Sequence, residues 1–395
     1  MNNFNIKPHI LFLFSDTGGG HRSATEAIIE AMHLEFDGLM THQMVDIFKE
    51  IAPRPLNRMP SWYPYMVRLP EVWGLGYRIS DGPHRANLLV HSYLPYVSLA
   101  LRDVARRYPS DMIVSLHPLA NVPFLRAMGP LRPPFVTVVT DLVTTHALWY
   151  YQGVDLCLVP TEEARRRALR CKLRPEQVKV VGLPVADRFC QPVGDRSALR
   201  ERLGWPQDRP VVVLVGGGEG MGPLEKTALA IAEANLPLAL VVICGRNEAL
   251  KARLEAHQWP MPAFIYGFVR EMPDFMQAAD ILVTKAGPGT VTEALNAGLP
   301  MILYSRLPGQ EDGNVSYVTS TGVGVWAPQT EDIVAVLRTW IMEPEKREQA
   351  AAACRSHARP QAARNIAHIL AGMVGVEAGH KQVSTHPNGL QDGIS

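Results

Sequence analysis

Two stretches of this chain carry one design, about two hundred residues apart. The apolar run ILFLF at 10–14 stops in glycines at 18–20 and resumes as a helical stripe at Ala24, Ala27, Ile28, Ala31 and Met32. The run VVVLV at 211–215 stops in glycines at 216–218, with helical spacing again over 225–233. A wholly apolar strand must be covered on both faces, and one that feeds a helix through a glycine turn opens a parallel, doubly wound sheet. Further apolar runs at 112–116, 135–139, 156–159, 238–244, 281–284 and 301–304 supply the neighbouring strands. The fold class expected is α/β, with two Rossmann-like doubly wound domains. Ligands of such sheets bind beyond the carboxyl ends of the strands, so the domains should face each other across a cleft. The Pro-, Gly- and charge-rich stretch 189–208 separates domain 1–190 from domain 191–376, and 377–395, poor in apolar residues, reads as a disordered tail.

At 395 residues the chain has room for two such domains, at roughly 100–200 residues each. Apolar residues make up 47% and charged ones 19%, which excludes a disordered or fibrous chain. With 39 basic against 38 acidic side chains the formal charge is +1, without the broad positive field of a nucleic-acid binder. Residues 1–190 carry 21 basic and 17 acidic side chains and the remainder 18 and 21, which leans the first half towards an anionic surface. Cys157, Cys171, Cys190, Cys244 and Cys354 are odd in number and form no C-x-x-C pair, as expected of free thiols in a reducing compartment. The opening MNNFNIKPH lacks signal-peptide character, and the longest uncharged stretches, 86–101 and 313–330, are too short or too polar to span a bilayer. The expected location is cytoplasmic, with membrane contact at the surface only.

Chemistry concentrates in three places. The loop Ser15-Asp16-Thr17-Gly18-Gly19-Gly20-His21 lies between a strand and a helix. Its glycines let backbone approach a ligand, and the helix start offers unpaired N–H groups to an anion. A tight turn with a Ser23–Glu26 capping box is the plain alternative, and without G-x-G-x-x-G there is no dinucleotide fingerprint. His21 follows the glycines directly and should face the cleft. The second loop, 216–222, has five glycines in seven positions, which suits a diphosphate better than it suits a linker. The third block runs from Thr284-Lys285-Ala286-Gly287-Pro288-Gly289-Thr290 through Glu293 to Gln310-Glu311-Asp312-Gly313-Asn314. Glu293, on the first turn of a cleft-facing helix, can hold a ribose diol or complete a capping box with Thr290. Gln310, Glu311 and Asn314 cluster on the loop after the next strand, to grip a sugar or to face solvent.

In this order the residues resemble those of the monogalactosyldiacylglycerol synthases and the related bacterial diacylglycerol glucosyltransferases. More distantly they resemble the glycosyltransferase that adds N-acetylglucosamine to the peptidoglycan lipid precursor. The first loop is similar to the family's D-T-G-G-G-H, and Thr140-Asp141-Leu142 with His146 and Trp149 is similar to its T-D-x-x-x-x-H-x-x-W. The second loop and the third block resemble its donor site, and the likeness runs to about residue 370. It implies a GT-B fold, with the acceptor on the first domain and a UDP-sugar mainly on the second. By the same resemblance Glu293 would bind the ribose and Gln310 with Glu311 the hexose, and Gly289, Thr290 and Asn314 would belong to the same donor-binding set. The Gly216–Gly220 backbone, Gly217 and Gly218 included, would lie near the diphosphate, Gly19 and Gly20 would also take part in donor binding, and Phe268 and Val269 would bracket the uracil. His21 would be the base or sit at the sugar–acceptor junction. His146, Trp149 and the region of Pro55, Trp62 and Trp73 would lie towards the lipid.

The chemistry of glycosyl transfer is consistent with that reading. It needs a base for the incoming hydroxyl and compensation for charge on the departing diphosphate. A histidine supplies the first near neutral pH, and glycine-loop N–H groups with a helix start supply the second. Asp16 and Asp141 compete with His21 as base, or orient it. There is no D-x-D motif, so neither metal nor cofactor is expected. A single displacement would invert the anomeric centre and give a β-linked product. Between 53 and 83, aromatic residues interleave with Arg54, Arg58, Arg68 and Arg78, as suits a headgroup interface, although an aromatic subdomain core would look the same. The expected protein is therefore a UDP-galactose:1,2-diacylglycerol galactosyltransferase, peripheral on the inner face of a cell membrane and drawn to anionic lipid. UDP-glucose is the alternative donor; a UDP-sugar epimerase and a non-catalytic sensor are the alternatives of other classes.

Overall fold

The computed structural model describes residues 7–377 except 18, 53, 55, 67, 68, 193 and 221, and only the backbone of 56, 63, 64 and 66. The expected roles of Pro55 and Arg68, and nearly all of the expected disordered tail, lie outside the described residues.

Two six-stranded parallel sheets form the frame. The first comprises β1 (His9–Phe14), β2 (Thr41–Asp46), β3 (Met112–Ser115), β4 (Phe135–Val138), β5 (Leu156–Val159) and β6 (Val178–Val180), in the order β2-β1-β3-β4-β5-β6. The second comprises β7 (Val211–Val215), β8 (Ala239–Ile243), β9 (Ala263–Tyr266), β10 (Ile281–Lys285), β11 (Met301–Ser305) and β12 (Gly324–Trp326), in the order β12-β11-β10-β7-β8-β9. Alternate side chains divide between the faces, so each apolar run feeds two cores. Ile10 and Phe12 pack with Ile28 and Met32 on one face of the first sheet, and Leu11 and Leu13 with Phe48 and Phe124 on the other. In the second sheet Val212 and Leu214 meet Ile231 and Leu337, while Val211 and Val213 meet Phe275 and Leu295.

Every apolar run read as a strand is one. The four strands with no such run, β2, β6, β9 and β12, are the four sheet edges. An edge strand has one neighbour and is only partly covered, so its sequence can be short or polar, as in THQMVD and VKV.

Neither expected capping box forms. Helix Gly20–Phe36 starts at Gly19, whose φ is 79°, and the Ser23 N–H donates to the Gly19 carbonyl from inside the first turn. Helix Pro288–Asn296 starts at Gly287, so Thr290 and Glu293 already lie within it. Both helices begin without a side-chain cap, and their first N–H groups stay available at the carboxyl ends of the sheets.

Helix Ala362–Met373 departs from the expected division at 190/191. Its stripe Ala363, Ile366, Ala367 and Leu370 joins the core beneath the first sheet, against Ala24 and Ile28. Arg364 pairs with both Glu35 and Asp187 there. The helical period shows that this stripe must be buried, but it does not say against which sheet.

Candidate active site

In each sheet the strand order reverses beside the first strand, at β1/β3 and at β7/β10, and the key loops leave from those points. His21 is the second residue of its helix. Its Nδ1 lies 2.8 Å from Thr140 Oγ1, and its ring meets those of His117 (centroids 4.8 Å apart) and Trp149 (6.1 Å). Burial pushes the imidazole down to about 4, against the pull of the Leu116 backbone carbonyl, so it is neutral at physiological pH. His117, just beyond β3, caps helix Pro118–Met128 by accepting the Leu119 N–H at Nδ1 (3.3 Å); burial, with His21 adding to it, holds it well below the usual histidine range.

Asp141 joins the two halves. The Trp149 indole donates to its Oδ2 (2.7 Å), and the Gln310 amide, from the second half, donates to its Oδ1 (3.1 Å). Burial pushes its carboxyl up to about 6 although both donors oppose this. Asp16 is the opposite case: Arg22 and Lys49 grip both its oxygens and hold it far below the usual carboxylate range. Paired in this way Asp16 is a weaker base than a free carboxylate, which favours His21 over it in that role.

On the donor side, Glu311 is buried, with one oxygen 3.0 Å from Lys285 Nζ and the other accepting the Leu307 N–H (2.8 Å). Asn314 donates to the Ala286 carbonyl (2.9 Å). Gln310 Oε1 and Asn314 Oδ1 are buried with no partner among the described residues, two acceptors to which sugar hydroxyls can donate. Glu293 is lifted to about 7 by burial, with Arg188 opposing. Gly217 has φ 77°, and Gly220, at φ 59°, lies so close to the Cys244 carbonyl that a Cβ would collide with it. Among the described residues nothing lies within 4 Å of where a Cβ would stand at Gly19, Gly20 or Gly289. Beside Gly218, Arg246 stacks on the exposed Phe268 ring (4.6 Å), with Val269 half-buried behind it.

The residues expected to face lipid divide. Trp149 is fully buried and His146 nearly so, its Nδ1 accepting the Leu148 N–H and its Nε2 3.2 Å from Ser80 Oγ. Trp149, bonded to Asp141, and His146, held by Leu148, Ser80 and the Tyr77 ring, are thus packed inside the first half and not on its outer surface. Trp62 is exposed and Trp73 half-buried. Helix Pro70–Ser80 turns Leu75, Val72 and Ile79 outwards, each about three-fifths exposed, while Gly74 and Tyr77 on its far side abut Pro308 and Gly309. Sequence reasoning missed the roles of His117, Thr144 and Lys285. Thr144 Oγ1 accepts the Gly313 N–H (2.8 Å), a second bond between the halves. The available signal was position: His117 and Lys285 stand at the ends of strands flanking the reversal points.

Two doubly wound sheets facing across such a cleft, with a neutral histidine on one side and a glycine-cradled polar cluster on the other, define a glycosyltransferase of the GT-B fold. Solved structures agree on the fold: MurG of Acinetobacter baumannii (TM-score 0.59, 16% identity, covering 92% of this chain and 99% of that one) and WaaG, a lipopolysaccharide glycosyltransferase (0.55, 15%, 92% and 100%). A UDP-GlcNAc 2-epimerase from Neisseria meningitidis matches equally well (0.59, 14%, 92% and 100%), which shows the fold alone. Residues 21–185 match the monogalactosyldiacylglycerol synthase model and 211–366 the glycosyltransferase family 28 C-terminal domain. The chain is 40% identical to the monogalactosyldiacylglycerol synthase of Spinacia oleracea over 383 residues, 92% of this chain and 72% of that protein. Against synthase 1 of Arabidopsis thaliana the identity is 37% over 380 residues, 92% and 71%. The chain belongs to the monogalactosyldiacylglycerol synthase family, whose reaction is galactosyl transfer to diacylglycerol. The expected place on the inner face of a cell membrane is overturned, since these relatives are chloroplastic enzymes. No helix among the described residues is long and apolar enough to cross a membrane.

Proposed function

We propose that this chain transfers galactose from UDP-galactose to 1,2-diacylglycerol by a single inverting displacement, giving the β-linked galactolipid, with His21 as the base. The observation that carries the reading is the connection from the neutral His21 ring, through Trp149 and Asp141, to Gln310 on the sugar side. The acceptor hydroxyl gives its proton to the imidazole as its oxygen bonds the anomeric carbon. Asp141, its oxygens already engaged, positions Trp149 and Gln310 around the reacting centre. Glu293 takes the ribose diol, and Glu311 and the open acceptors of Gln310 and Asn314 take the hexose. The glycine-loop N–H groups and the uncapped start of helix Pro288–Asn296 offset charge on the leaving diphosphate, so the reading needs no metal ion.

The acceptor is insoluble in water and must be drawn from a lipid surface. The outward face of helix Pro70–Ser80 fits that surface, Leu88, Tyr96 and Leu99 of helix Pro83–Arg107 are exposed as well, and Arg54, Arg58, Arg78 and Arg85 are near in sequence. Such an apolar cluster on a soluble face needs a partner. The test is purified protein with diacylglycerol vesicles and UDP-galactose or UDP-glucose in parallel, the products resolved by mass and anomeric configuration. A β-galactolipid from UDP-galactose is expected. A glucolipid alone moves the assignment to the glucosyl donor, and an α-linked product removes the single displacement.

A further inference from the structure

We propose that Lys285 contacts the β-phosphate of the donor and takes up the charge of the departing diphosphate; this rests on the donor site as read above. β10 ends at Lys285, beside β7, where the strand order of the second sheet reverses. Two backbone segments close around the side chain. A Cβ at Gly287 would lie 2.9 Å from the ammonium nitrogen, and one at Gly217 would lie 3.6 Å from Cε. The lysine head is therefore lodged between the glycine loop after β7 and the first turn of helix Pro288–Asn296, which no side chain caps. A side chain at Gly287 would crowd the ammonium, and one at Gly217 would touch the lysine stem from a left-handed backbone position that favours glycine.

Glu311 fixes the ammonium from a third direction, at 3.0 Å, and is itself buried with its other oxygen held by backbone. It uses one of three N–H donors, and the other two have no partner among the described residues. A compact point charge with spare donors, beside a helix start and a glycine loop, matches a phosphate oxygen. In the transfer, the acceptor oxygen bonds the anomeric carbon and its proton passes to His21. The bond from that carbon to the β-phosphate oxygen breaks with its electron pair left on UDP. Lys285 offsets the charge formed there, and Glu311 holds the lysine in place from the sugar side.

Binding of uridine, UMP, UDP and UDP-galactose, measured by calorimetry on Lys285→Met and Lys285→Arg, separates the β-phosphate from the rest of the donor. Lys285→Met should bind uridine and UMP as the wild type does, lose about tenfold in UDP affinity and fall about 100-fold in kcat. Lys285→Arg should recover part of both. A UDP-over-UMP increment left intact, with loss confined to the UDP-galactose-over-UDP increment, assigns Lys285 to positioning Glu311 and overturns the proposal. Lys285→Met leaves Glu311 as a buried unpaired charge, so the Lys285→Met/Glu311→Gln double variant is measured beside it. It should lack the same increment, and its return also overturns the proposal, as does a wild type that binds UDP no better than UMP. The binding increments are equilibrium readouts independent of the kcat comparison, so a chain that bound UDP but moved no galactose would sink the transfer reading alone.

Discussion

Asp141 and Gln310, 169 residues apart, are hydrogen-bonded at 3.1 Å, and through that bond the loop after β4 meets the loop after β11. The other oxygen of Asp141 belongs to Trp149, so one buried carboxylate ties the ring packed on His21 to the amide expected on the sugar. The arrangement couples the two loops through side chains rather than through adjacent backbone.

Trp149→Phe keeps an aromatic ring in the core and removes the indole donor. It should destabilise the protein by about 3 kcal/mol, the loss of a hydrogen bond to a charged group plus some cavity. The Asp141 carboxyl should rise further above its present value of about 6. Denaturant unfolding and its pH dependence measure both effects.

His21→Ala should spare UDP binding and lower transfer by about 10²–10⁴-fold, and near-normal turnover would remove the base assignment. A stability comparison with His21→Phe isolates the titration. The folded histidine titrates near 4 and the unfolded one near 6.5, so within that window only the unfolded wild type holds the proton. As pH falls through it, wild type should lose stability relative to His21→Phe; a constant gap would mean an ordinary, solvated imidazole.

Burial lifts Glu293 to about 7, and it must ionise to accept both hydrogen bonds of a ribose diol. Uridine, which has no phosphate to confuse the titration, should bind more tightly as pH rises through 7. Glu293→Gln should bind more weakly and without that pH dependence. An unchanged pH profile in the variant would leave Glu293 outside the nucleotide site.

Charging the outward face with Val72→Glu, Leu75→Glu and Ile79→Glu should abolish recruitment to anionic vesicles at low salt in a flotation assay. Because all three are exposed, thermal stability should move little. Undiminished flotation would return this face to ordinary surface.

Gly220→Ala puts a Cβ into the Cys244 carbonyl at a left-handed backbone position. The donor loop must shift, and UDP affinity should fall by about tenfold while the fold survives. Calorimetry against UDP decides it; unaltered affinity would separate this loop from the diphosphate.

The interior of the fold was legible because each central strand is buried on both faces and must be apolar throughout. The edges were not, since THQMVD and GVW satisfy a strand with one neighbour but display no period. His21 and Gln310 could be picked out because they directly follow or flank glycine turns at strand ends. Lys285 was passed over as one residue in a motif, for nothing local says that a glutamate 26 positions later will bury itself against it.

The sequence by itself determined two doubly wound sheets, two glycine loops at their reversal points and the family, because apolar period and glycine placement are local consequences of backbone geometry. Tertiary structure alone decided that Trp149 and His146 are buried, that Asp16 is paired with Arg22 and Lys49, and that helix Ala362–Met373 returns to the first sheet. Those outcomes depend on which distant residues share a buried environment. Burial and partner charge, which set what a side chain can do, exist only once the sheets have met.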